Sequence, residues 1–253
     1  MNSVIRSFEI LELVADNQET GLGFPEIVER LQYPNSSAFR LLKQLVDLNY
    51  LTFDEGTRRY HVSFRLARIG ACVTGSLSLT KVGRPFLRKL FEESGHTCNM
   101  GILGKDCGVY VDVFITTRYG VKLLSEIGRD FPLHCTALGK VLLADMDARK
   151  RALLLPENLP AFTEASITDR NELERQLLEV AAQGFAVDRE EVNQGLTCIA
   201  APVFDSGGRV MAAVSVSCPS FACRDDDQDR LRTQVMACGL AISKVFGYRA
   251  EAG

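Results

Sequence analysis

Ile5, Phe8, Leu11 and Ala15 recur at the spacing that puts side chains on one face of a helix. This predicts an amphipathic helix over 4–16 with those four inward. A polar stretch with two glycines, 17–23, interrupts the pattern. Pro25 suits the first turn of a second helix, PEIVERL, with Ile27, Val28 and Leu31 inward. Gln32-Tyr33-Pro34 ends it, and Asn35 or Ser36 can cap a third helix. That helix turns Ala38, Leu41, Leu42, Leu45 and Val46 inward and shows Ser36, Ser37, Arg40, Lys43, Gln44 and Asp47 on its other face. Two short strands, 50–53 and 59–62, flank an Asp54-Glu55-Gly56 turn.

From 63 to 94 the pattern is helical, interrupted around Gly75–Ser78 and near Pro85, with no Gly/Ser-rich or Pro-rich linker. A connecting helix between two domains is expected. Beyond His96, strand-like runs (HTCNMGIL, GVYVDVFI, VKLLSEIG) precede three helices: TALGKVLLADM, DARKRALLL and DRNELERQLLEVAAQG, the last closed by Gly184. The strands FAVDREE, CIAAPVFD and RVMAAVSVS follow, the last two joined by a turn at 205–208. A final helix, 225–248, carries Leu231, Val235, Cys238, Ile242 and Val245 on one face and Asp225 to Asp227 in its first turn, where acids suit the helix dipole. The expected class is α+β with a mostly antiparallel sheet. The expected division is 1–62, a linker helix over 63–78, and a second domain over 79–250.

The 253 residues suffice for a large core without disulfides or metals. No apolar run approaches the ~20 residues of a membrane helix, and the N-terminus has acids inside its apolar stretch and no cleavage site, unlike a signal peptide. A cytoplasmic protein is expected, with the eight cysteines reduced and mostly small buried hydrophobes. None forms C-x-x-C, and His96-x-Cys98 and His134-Cys135 match no common zinc pattern, so no metal and no other cofactor is expected.

The net charge of −3 does not suggest a nucleic-acid binder, but its distribution does. Residues 1–34 hold two bases against six acids; residues 35–68 hold six bases against three acids. Two helices joined by a tight turn make a helix-turn-helix, whose second helix reads the major groove with its N-terminal residues. Here these are Ser36, Ser37, Phe39 and Arg40, followed by Lys43; a guanidinium can bridge two acceptors on guanine. The hairpin that follows reads as a wing, with Arg58 and Arg59 near its tip to neutralise phosphates. A three-helix protein-interaction module is the alternative.

Alternation along the later strands places Val210, Ala212, Val214 and Val216 on one face and Met211, Ala213, Ser215 and Ser217 on the other. Asp188 shares a face with Ala186 and Glu190, and Cys198 with Ala200 and Pro202. If these strands are neighbours, Asp188, Cys198, Ser215 and Ser217 cluster. Thr136, as a cap, would leave the amides of Ala137, Leu138 and Gly139 unpaired at a helix start, where a carboxylate binds well. The alternatives are packing for Cys198, a turn cap for Asp188 and backbone satisfaction for the serines. A nucleophilic Cys198 would need a basic partner; His61 lies in the wing, His96 and His134 lie on other stretches, and Asp188 would raise the thiol pKa. No phosphate-loop or dinucleotide fingerprint occurs.

NSSAFRLLKQL (35–45), the wing ending RRYHV, PLHCTALGKVLLA (132–144), GFAVDREEVNQGLTCIAAPVFD (184–205) and VMAAVSVSCP (210–219) together resemble the isocitrate-lyase-regulator (IclR) family of bacterial transcriptional regulators, in the family's order and over essentially the whole chain. The resemblance implies a winged helix, a linker helix and a GAF-like effector domain, assembled as dimers or tetramers on palindromic operators. It also implies that Ala137, Leu138, Asp188, Cys198, Ser215 and Ser217 contact the effector, with Leu138 larger than the family's usual small residue. The expected protein is a DNA-binding regulator whose second domain takes a small organic acid, and effector binding is expected to act on the winged helices through the linker. A GAF-like enzyme with a helical appendage is the alternative, and a protein scaffold a third reading.

Overall fold

A computed structural model describes residues 3–69, 78–119 and 125–249. The chain divides into two compact units, Met1–Ser78 and Leu79–Gly253. Among the described residues no helix is long and apolar enough to cross a membrane.

The first unit holds α1 (Ser3–Ala15), β1 (Leu22–Gly23), α2 (Phe24–Leu31), α3 (Asn35–Asp47), β2 (Leu51–Asp54) and β3 (Arg59–Val62). The strands form an antiparallel sheet in the order β1-β3-β2, and the β2–β3 hairpin runs from Leu51 opposite Val62 to Asp54 opposite Arg59. Ile10, Val14, Ile27, Ala38 and Leu42 are fully buried between the helices and the sheet. This corrects the expected face of α1. Ile5 and Phe8 are 50% and 60% exposed and Ala15 is exposed, while Ile10, Leu11 and Val14 face the core. Two apolar stripes run along this helix; periodicity shows that a stripe exists but not which one meets α3 and β3. The cap of α3 also differs. Pro34 holds the cap position with extended geometry, and its carbonyl accepts from the amides of Ser37 (2.9 Å) and Ala38 (3.0 Å), so neither Asn35 nor Ser36 caps. Residues 64–69 are helical; the part of the expected linker helix over 70–77 lies outside the described residues.

The second unit starts with α4 (Ser78–Ser94), which runs unbroken through Pro85. The break expected there does not occur: Leu87 and Leu90 after the proline are buried against the sheet, and Leu79 before it belongs to the same core. The sheet comprises β4 (Thr97–Leu103), β5 (Gly108–Phe114), β6 (Asp130–Phe131), β7 (Ala186–Arg189), β8 (Leu196–Phe204) and β9 (Val210–Pro219), in the order β6-β5-β4-β9-β8-β7, with every pair antiparallel. One face carries α4 and α8 (Asp225–Val245) over Ile199, Val214 and Val216. On the other, α5 (Ala137–Ala144) and α7 (Arg170–Gln183) cover Ala186, Ala200 and Ala213. Between them lies α6 (Ala148–Leu154).

Four further expectations change. Of the expected strand VKLLSEIG, 125–128 are loop and turn, and 121–124 lie outside the described residues. The edge position belongs to Asp130–Phe131, because Gly101 and Gly108 leave room for the Phe131 ring where any Cβ would collide with it. The alternation of β9 changes phase near its start, where a bulge between Val203 and Phe204 pairs Val203 with Ala212 but Phe204 with Val210. Met211 and Ala212 therefore both serve the α4/α8 core, and Val210 joins the other. Glu190 leaves the face of Asp188, because its backbone is left-handed (φ 62°) and its carboxylate accepts from the Gly195 amide. Val245 is 56% exposed at the end of α8, where Phe246 packs against the core instead.

Gly239 of α8 crosses β8 so closely that a Cβ there would lie 2.5 Å from the Pro202 carbonyl oxygen. Gly239→Ala, normally favourable in a helix, should therefore destabilise the second unit by about 1–3 kcal/mol. Urea unfolding checks this: a variant as stable as the parent would mean that the helix does not sit this close.

Candidate effector pocket and nucleic-acid interface

Strand register brings the polar residues together. Asp188 lies opposite Cys198, Cys198 opposite Ser217, and Ser217 opposite Thr97; one step along, Ser215 lies opposite Asn99. Asp188, Cys198, Ser217, Ser215 and Asn99 form the floor of a cavity of about 370 Å³. The Cys198 thiol donates to Ser217 Oγ at 3.1 Å, and the Asn99 amide Nδ2 donates to Ser215 Oγ and Ser217 Oγ, both at 3.3 Å. The first residues of α5, Ala137 and Leu138, form one wall, and Tyr110, Phe131 and Phe162 contribute apolar surface. All six residues expected at the pocket line it. Asn99 was missed; its signal is a lone amide inside the otherwise apolar strand TCNMGIL.

Thr136 caps α5, its Oγ1 accepting from Gly139 N at 3.0 Å and donating to the Pro132 carbonyl at 2.6 Å. The Gly139 amide is therefore taken, which corrects the expectation of three open amides. Ala137 and Leu138 keep theirs, with no acceptor among the described residues. A Cβ on Gly139 would collide with the Leu133 backbone, so a glycine is what lets the start of α5 pack against 133.

Behind the floor lies a charge that sequence reading also missed. Lys140 is 1% exposed, and its Nζ donates to Glu191 Oε1 (2.6 Å), Gln176 Oε1 (2.9 Å) and the Val187 carbonyl (3.2 Å). All three ammonium protons are matched, as a buried charge requires. The lysine ties α5 to α7 and to the open edge of β7. Its mark in the sequence is a single cation within ALGKVLLA.

Asp188 is buried and its Oδ1 accepts from the Glu191 amide at 2.8 Å. It therefore caps a turn while also lining the cavity. Burial pushes its carboxyl up to about 7, reinforced by the Glu191 charge and opposed by the Glu191 amide bond and by Lys140. Burial, then Asp188, push the Cys198 thiol far above the ordinary range. Neither histidine of this unit bonds to it: His134 Nε2 pairs with the Pro160 carbonyl at 2.9 Å, and His96 stacks on Tyr119. A thiol held protonated, without a base, is a poor nucleophile.

In the first unit, Ser36, Phe39, Arg40 and Lys43 are exposed on α3; Phe39 meets Phe24 edge-on at 6.1 Å. Ser37 is half-buried and accepts from Arg6 Nη1 at 3.2 Å. At the hairpin turn Arg58 is exposed with a left-handed backbone (φ 54°). Arg59 instead turns back, donating to the Gly21 carbonyl at 2.7 Å and pairing with Glu26 at 3.3 Å. Of the two arginines expected to act together at the tip, Arg58 is thus exposed while Arg59 is held against the chain.

This winged helix, followed by an antiparallel sheet with a polar cavity, matches known proteins throughout. Residues 3–55 match the IclR helix-turn-helix domain and 71–244 the bacterial transcriptional regulator IclR C-terminal domain. The chain belongs to the IclR family. It is 34% identical to the HTH-type transcriptional regulator XynR of Escherichia coli over 251 residues, 99% of each chain. An IclR transcriptional regulator from Alicyclobacillus acidocaldarius superimposes with TM-score 0.84 at 26% identity, covering 97% of this chain and 98% of that one. An IclR homologue from Microbacterium hydrocarbonoxydans, solved with 4-hydroxybenzoate, shares the fold at TM-score 0.83 and 20% identity, covering 96% and 100%. The IclR-family chain is thus a ligand-responsive transcriptional regulator, with a DNA-binding helix-turn-helix domain and a C-terminal effector domain.

Asp188 supplies a test of the pocket's electrostatics. Its folded carboxyl holds a proton to about pH 7, whereas the unfolded group, near 3.8, releases it. The contribution of Asp188 to stability should therefore fall as pH rises from about 4 to about 7. Asp188→Asn should remove that loss, gaining on the order of a few kcal/mol over the parent above pH 7 relative to pH 4. Urea unfolding across this range checks it; a difference between variant and parent that stays flat with pH would contradict the buried-acid assignment.

Proposed function

We propose that this IclR-family regulator works in the cytoplasm as a homo-oligomer on palindromic operator DNA, and that a small organic acid in the effector cavity modulates its DNA affinity. The domains act as 1–62 for DNA, 63–78 as the connecting helix and 79–250 for the effector. The observation that carries the effector reading is the convergence on one cavity of two open α5 amides, the Ser215 and Ser217 hydroxyls, the buried Asp188 carboxyl and the half-buried Cys198 thiol. Helix-start amides and hydroxyls are donors, and a carboxylate is the small group that accepts from several at once. No catalytic step is assigned: the Cys198 thiol in the cavity is half-buried, held protonated and without a base.

On the DNA side, Ser36, Ser37, Phe39 and Arg40 at the start of α3 face the groove, while Lys43 and Arg58 meet phosphates. Arg59 contributes mainly by bracing the wing against Gly21 and Glu26. Phosphate contacts set the salt dependence of binding, each contributing about 0.9 to its slope. With an operator selected from random duplexes, Arg58→Ala should weaken binding and reduce the salt slope by about 1. Arg59→Ala should lower the thermal stability of the first unit with a smaller effect on the slope. Fluorescence anisotropy against salt checks both. Equal slopes for the parent and Arg58→Ala would remove the wing from the interface, and an absence of salt-sensitive DNA binding would overturn the DNA reading.

A further inference from the structure

Asn99 sits in β4, 2% exposed, with its side chain on the cavity floor. Its two amide protons go to Ser215 Oγ and Ser217 Oγ. Its Oδ1 is buried with no donor among the described residues. A buried amide oxygen left unpaired is destabilising, and such groups are rare unless something outside the chain pairs with them. Around it, Ser217 Oγ accepts from both Asn99 and the Cys198 thiol, and Ser215 Oγ accepts from Asn99, so each hydroxyl has its proton to give. The amides of Ala137 and Leu138 add two more donors. The cavity therefore presents several donors and one buried acceptor that lacks a partner.

A simple carboxylate satisfies the donors and leaves Asn99 Oδ1 unpaired, since an ionised acid offers only acceptors. A keto acid adds a further acceptor and leaves it equally unpaired. A hydroxyl supplies the missing proton. We infer that the cavity takes a hydroxy acid, its carboxylate held by the α5 amides and serine hydroxyls and its hydroxyl donating to Asn99 Oδ1. Asn99 is then the residue that selects among acids. The inference rests on the effector-pocket reading and narrows it from organic acids in general to one class.

The test is calorimetry on the full chain with matched straight-chain acids: pentanoate, 2-oxopentanoate, 2-hydroxypentanoate and 3-hydroxypentanoate, and their six-carbon counterparts. At least one hydroxy acid should bind about tenfold or more tighter than both its oxo and unsubstituted counterparts, as expected when a buried polar group would otherwise go unpaired. Asn99→Ala should close that gap. An oxo acid that binds as tightly as the hydroxy acid would overturn the inference, because the amide would then present its N–H side to the ligand. So would a gap that survives Asn99→Ala. Binding by none of these acids would overturn the effector-pocket reading itself, which separates the two failures. The comparison of acids on the unaltered chain decides the question even if the variant folds poorly.

Discussion

The pairing register of β7, β8, β9 and β4 is the constraint on which the site depends. Side chains alternate along a strand, so a slip of one residue in any of these pairs would turn the polar row into the α4/α8 core and bring valines to the cavity. That core, with Ile199, Val214 and Val216 buried against α4 and α8, makes any slip costly. The pocket is held in place by apolar packing on the opposite face of the same sheet. The phase change near Val210, at the far end of β9, occurs before the serines and leaves their alternation intact.

The same sheet face also carries charge at some cost. Lys140, Glu191 and Asp188 lie within one buried cluster, and only the ammonium has a full set of partners. Glu191 Oε2 has no hydrogen-bond partner among the described residues, and burial raises the pKa of both acids. A hydrophobic replacement would pack such a site at less electrostatic cost. What the ions provide is position: Lys140 fastens the β7 edge to α5 and α7, and so sets Asp188 and the start of α5 on either side of the cavity.

Elements with one dominant apolar stripe were legible from spacing. α3, α7 and α8 lie within a few residues of where periodicity put them, and alternation put Asp188, Cys198, Ser215 and Ser217 in one cluster on the condition, met by the register, that their strands are neighbours. Failures came where spacing is degenerate or where one local contact decides. Two stripes compete on α1, and tertiary packing chooses the one through Ile10 and Val14. Arg59 looks like its neighbour Arg58 in sequence, yet a carbonyl and a carboxylate within reach claim it. Asn99 and Lys140 went unread because a polar residue in an apolar run gives no direction by itself. Only the register of β4 on β9, and the three acceptors around Nζ, assign their roles.

As a ligand-responsive IclR regulator, the chain must hold at least two states that differ in DNA affinity, and a ligand shifts them only by its differential affinity. Linkage makes this reciprocal: if the acid changes operator affinity by a given factor, the operator changes acid affinity by the same factor. The most direct measurement is therefore the affinity of the tightest-binding acid for the free protein and for the protein saturated with its selected operator, set beside the operator affinity with and without that acid. The two ratios should differ from one and agree with each other. An acid that binds free and operator-bound protein equally would contradict this, because a cavity with no preference between the two states cannot regulate.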